Sequence, residues 1–106
     1  MSYRFMRVLV FFDLPTINEI DKRNYRKFRA FLIKNGFMML QESVYAKLVL
    51  NETLVIKTIS SIKHNAPKDG SIHILTITEK QFSKMEIISN RTKSDVLNTD
   101  ERITII

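Results

Sequence analysis

The sequence predicts an α+β fold: a ferredoxin-like βαββαβ sandwich with an antiparallel sheet and an extra C-terminal strand. Three observations lead there. The first strand-like segment is apolar on both of its faces. Strand and helix periodicities then alternate along the chain, in an order that lets two helices cover one face of one sheet. The other sheet face, with half of the apolar first strand, stays uncovered in a single copy. An uncovered apolar face favours a dimer or a larger complex.

Residues 4–12 read as the first strand. Met6, Val8, Val10 and Phe12 fall on one face, and Leu9 and Phe11 on the other. Such a strand belongs in the middle of a sheet. Pro15 stops it, because proline has no N–H for a ladder, so Asp13 is the last side chain before the break. Residues 18–35 read as a helix. Asn18 is placed to cap it, Glu19 and Asp21 suit the positive end of its dipole, and Gly36 suits its C-terminal stop. At about 100° per residue, Ile17, Ile20, Asp21, Asn24, Tyr25, Phe28, Phe31, Leu32 and Asn35 share one side. Lys22, Arg23, Arg26, Lys27, Arg29 and Lys34 share the other, with no acid among them.

Residues 37–50 read as one long strand with a bend or bulge at Gln41-Glu42-Ser43, where the apolar alternation weakens. Asn51 can cap a second helix over 52–65, with Leu54, Val55, Ile59 and Ile62 as its buried stripe. The segment 65–70 has Pro67 and Gly70 and reads as a loop. Residues 71–78 read as a strand with Ile72 and Ile74 on one face and Leu75 and Ile77 on the other. A short turn or helix over 79–84 leads to a short strand over 85–88. The first 88 residues thus form one domain. The polar stretch from Ser89 to Glu101 reads as a flexible linker. Arg102 to Ile106 reads as a last strand that pairs with a partner chain or with the home sheet.

Composition narrows the function. The chain has 106 residues, the size of one domain with one core. It has no cysteine, which excludes disulfides, Cys-based zinc sites and Cys nucleophiles. The longest apolar run, Val8 to Phe12, is too short to span a membrane. The N-terminus has no secretory pattern, so a cytoplasmic location is expected. A formal charge of +6 suggests an anionic partner, most simply nucleic acid. The basic side of the first helix can be a phosphate-binding surface or an ordinary solvated face. His64 and His73 are isolated and read as structural. Asp13 has two readings. It can cap a turn before Pro15. It can also hold a hard cation at the rim of the sheet, with two copies of the chain contributing one carboxylate each.

Several segments together resemble a known family. The stretch from Met1 to Thr16, with Val8-Leu9-Val10-Phe11-Phe12-Asp13-Leu14-Pro15, is similar to the first strand of the CRISPR-associated protein 2 family, the small subunit of the spacer-acquisition machinery. Tyr25-Arg26-Lys27-Phe28-Arg29, Phe31-Leu32, Gly36-Phe37, Gln41 to Leu48 and Ile74 to Phe82 continue the likeness in order. The last segment resembles the branch that accompanies Cas9-type systems. The resemblance implies a ferredoxin-like homodimer that bridges the larger CRISPR integrase subunit and supports a short DNA duplex. It also implies a Mg²⁺-dependent endonuclease acting on single-stranded RNA or double-stranded DNA, with Asp13 as catalytic and metal-binding residue. A basic residue common in the family near the start of the second strand has no counterpart here; Gln41 stands closest. Lys22, Arg23, Arg26, Lys27 and Arg29 are the candidate nucleic-acid contacts.

Overall fold

A computed structural model describes residues 5–89. Its elements are β1 (Met6–Asp13), α1 (Glu19–Lys34), β2 (Met38–Gln41), β3 (Val44–Val49), α2 (Glu52–Asn65), β4 (Ser71–Thr78) and α3 (Glu79–Ser83). The four strands form one antiparallel sheet in the order β2-β3-β1-β4. The βαββαβ order and this strand arrangement are compatible with a ferredoxin-like fold. Residues 102–106, expected to form a last strand, lie outside the described residues, as does nearly all of the expected linker and with it the division between residues 1–88 and 89–106. No helix among the described residues is long and apolar enough to cross a membrane.

The first helix starts and stops for local reasons. The Asn18 side chain accepts the Asp21 N–H at 2.8 Å, and the Asp21 carboxylate accepts the Asn18 N–H at 3.4 Å. This reciprocal box satisfies two donors that the helix cannot satisfy internally. At the other end Phe37 N–H donates to the Leu32 carbonyl and Gly36 N–H to the Ile33 carbonyl, with Gly36 at φ 91°. That is a Schellman stop, and its left-handed residue favours glycine. Asn51 caps α2 by accepting the Leu54 N–H at 2.9 Å.

The main core lies between the sheet and α1 and α2. Val8, Val10 and Phe12 of β1, with Tyr45 and Val49 of β3, meet Phe28 and Leu32 of α1 and Val55 and Ile62 of α2. A smaller core lies on the opposite sheet face, where Leu9 and Ala46 pack with Phe82 of α3, flanked by Phe11, Leu40, Ile77 and Met85. α3 is pinned there by the Arg7–Glu79 ion pair, whose second hydrogen bond is 3.1 Å, and by the Arg7 guanidinium 4.5 Å from the Phe82 ring centre.

Four expectations are corrected. The segment 37–50 is a hairpin of two strands, turning at Glu42-Ser43, with a register shift between Met39 and Gln41. No Gly, Pro or Asn-Gly pair marks that turn, so the usual hairpin signal is missing. Residues 85–88 form no strand; Met85 instead packs under α3. Ile17 and Ile20, placed on the buried side of α1, are 87% and 66% exposed, because the sheet meets the helix only from its second turn onward. Leu54 is exposed too, and the stripe of α2 is carried by Val55, Ile59 and Ile62.

Leu32 is fully buried at the centre of the main core. Leu32→Ala is expected to cost about 2–5 kcal/mol, read as a lower denaturation midpoint at unchanged m-value in urea titrations.

Candidate functional site

Asp13 closes β1, the strand that pairs on both sides. Its cross-strand partner is Ser71 of β4, and it is exposed. Strand alternation puts it on the sheet face of Leu9 and Phe11, away from α1 and α2. His73 of β4 pairs with Phe11 on that face, one step along from Ser71. His73 is exposed on the sheet and is not a core histidine.

The backbone around Asp13 is held from two sides. On one side Phe12 N–H donates to the Ser43 carbonyl at 3.0 Å. On the other, Gly70 leads into β4 at φ 96°. A Cβ there would lie 2.7 Å from the Asp13 carbonyl oxygen and 2.7 Å from a Leu14 methyl carbon. Only a residue without a side chain lets the β4 entry approach this closely. From below, Phe12 is gripped by three rings: Phe28 edge-on at 5.2 Å, Tyr45 stacked at 5.7 Å and Tyr25 tilted at 5.7 Å. Asp13 therefore emerges from the most constrained end of the strand.

A hard cation takes oxygen ligands, keeps several waters and uses one or two carboxylates. The Asp13 carboxylate fits that chemistry. It is exposed, and no ion pair or side-chain hydrogen bond among the described residues engages it. No group of three His, Cys, Asp or Glu residues converges among the described residues, so one chain offers a carboxylate and not a closed cage. Gln41, the position nearest to the missing basic residue, ends β2 and is two strands away from β1.

Lys22, Arg23, Arg26, Lys27, Arg29 and Lys34 are all exposed along α1. Lys22 lies 3.6 Å from Glu19, so one of the six has an acidic neighbour. These cations and Asp13 are in different layers. α1 packs on one face of the sheet and Asp13 belongs to the other. A cavity of about 220 Å³ lies between α1 and α2 beside Lys47 and Lys57, also on the helical side.

Comparison with known proteins decides the family. The family model of CRISPR associated protein Cas2 matches residues 6–85. The chain belongs to the Cas2 family. It is 52% identical over 101 residues to a Treponema denticola protein named CRISPR-associated endoribonuclease Cas2, covering 95% of this chain and all of that one. It is 42% identical over 101 residues to a Streptococcus mutans serotype c protein of the same name, covering 95% and 93%. A Campylobacter jejuni Cas2 is 42% identical over 85 residues, 80% of this chain and 59% of that one. The Cas2 match spans all seven elements and includes Asp13, Tyr25, Ser43 and Gly70.

Gly70→Ala is expected to lose about 1–2 kcal/mol from the left-handed backbone alone. The displaced Asp13 carbonyl adds to this. Denaturant titration gives the loss, and amide chemical shifts of residues 12–14 should move more than those of α2.

Proposed function

We propose that this chain is the dimeric Cas2 subunit of a cytoplasmic CRISPR adaptation complex, able to cleave phosphodiesters in single-stranded RNA with Mg²⁺. The observation that carries the reading is Asp13. It is an exposed carboxylate at the end of the central strand, in a chain similar over nearly its whole length to proteins named endoribonucleases. Double-stranded DNA is the other substrate the reading admits. A two-fold pair of chains would bring two Asp13 carboxylates to one cation. The apolar residues left on the same sheet face, Met38, Leu48 and Leu75, support that pairing. When bound, the cation supplies an activated water and neutralises phosphate charge. Asp13 holds it, while Phe12, Ser43 and Gly70 keep the Asp13 backbone in place.

The basic helix supports a second role in the same complex. Lys22, Arg23, Arg26, Lys27 and Arg29 suit the phosphates of duplex DNA, a sequence-independent contact. They lie across the sheet from Asp13, so this contact need not involve cleavage. A subunit that bridges the CRISPR integrase and supports DNA would use these residues and leave strand transfer to its partner.

Asp13→Ala separates the roles. Cleavage of single-stranded RNA in Mg²⁺ is expected to fall at least about 100-fold, to the level seen with EDTA. An Asp13→Ala protein that cleaves at the wild-type rate overturns the site. Spacer acquisition in cells that survives the substitution assigns the adaptation role to the scaffold. The double reversal R26E/K27E is expected to weaken duplex binding by the dimer or integrase complex and to flatten its salt slope by about two. Unchanged affinity and slope remove α1 from the interface.

A further inference from the structure

We infer that Ser43 and Tyr25 are positioning residues that set the direction of Asp13, a step that rests on the cleavage reading of Asp13. Ser43 is the one non-glycine residue with positive φ among the described residues, at 67°. The left-handed region favours glycine and asparagine, and serine is held there only when its surroundings determine it. Two contacts do so. The Ser43 carbonyl accepts the Phe12 N–H at 3.0 Å, and the Ser43 hydroxyl lies 3.3 Å from the Tyr25 hydroxyl. The regular β1–β3 pairing ends at Phe11 and Val44. The Phe12–Ser43 bond therefore extends the hold on β1 by one residue, to the position just before Asp13. Tyr25 touches both partners of that bond, Ser43 through its hydroxyl and Phe12 through its ring. Glycine would suit the turn better but could not reach Tyr25. The presence of serine at this φ is thus explained by the contact with Tyr25, not by the turn.

Asp13 itself is exposed and engaged by no described side chain, so its direction depends on the backbone that carries it. A small rotation at Phe12 would swing the carboxylate at the sheet rim, and misplacement of this kind is costly to a catalytic group.

The test uses the full chain with Ser43→Gly, Ser43→Ala, Tyr25→Phe and the Ser43→Ala/Tyr25→Phe pair. RNA cleavage in Mg²⁺, amide hydrogen exchange and thermal unfolding are measured on each. Each single variant is expected to lower kcat about 10- to 100-fold, the range for loss of an orienting partner, with KM within about twofold. The Phe12 and Asp13 amides should exchange faster while those of α2 do not. The double variant should resemble the singles, because both remove one contact. Ser43→Gly is the decisive case: it should unfold no earlier than wild type, since it relieves the backbone, and still lose kcat. Wild-type kcat in Ser43→Gly overturns the inference, as do additive losses in the double variant. A wild-type protein whose cleavage does not depend on Asp13 overturns the cleavage reading instead. The exchange rates at Phe12 and Asp13 then still decide whether Ser43 and Tyr25 hold this backbone.

Discussion

The ring of Phe12 joins the central strand to both β3 and α1. It stacks on Tyr45 of β3, takes Phe28 of α1 edge-on and leans on Tyr25. Offset and edge-to-face pairs of this kind each add about 0.5–1.5 kcal/mol beyond the area they bury. The cluster fixes where α1 sits on the sheet. The same residue, through its N–H, ties β1 to the turn after β2. Because side chains alternate, the residue after Phe12 must point to the opposite face. Burying Phe12 so firmly is therefore what presents Asp13 outward.

Much of this was legible in the sequence, and the parts that were not share a cause. The caps of α1 and α2, the break after Asp13 and the span of β4 follow from residues within a few positions of each event. Local chemistry suffices for them. The hairpin at Glu42-Ser43 leaves no turn signal in the sequence because its left-handed residue is a serine, whose hydroxyl meets Tyr25 eighteen positions away. The exposure of Ile17 and Ile20 does not follow from amphipathic spacing, which shows which residues could face a sheet, not where the sheet ends. For the site, Asp13 was visible as the last side chain before Pro15. The positions of Ser43, Gly70 and His73 around it are not, since they arise from the register of β1 against its neighbours.

The family likeness and the physical reading met at the same residue by different routes. The likeness pointed to Asp13 by position in a motif. The fold places it at the end of a central strand, clamped through its backbone and free at its side chain. A carboxylate so held keeps its conformational freedom low and its oxygens available, as a cation ligand requires.

The division into layers constrains how such a chain can work. The cations of α1 and the Asp13 carboxylate are on opposite sides of one sheet, so a nucleic acid lying along α1 does not pass over Asp13 of the same chain. The cations of α1 and the Asp13 carboxylate thus stay apart within one chain. Bringing the two functions together on one strand of nucleic acid would require a second chain, with the Asp13 face of each turned inward and the basic helices outward. Met38, Leu48 and Leu75 stay exposed on the Asp13 face, a surface that such an orientation would cover. One sheet thus holds a basic helix on one face and an exposed strand-end carboxylate on the other.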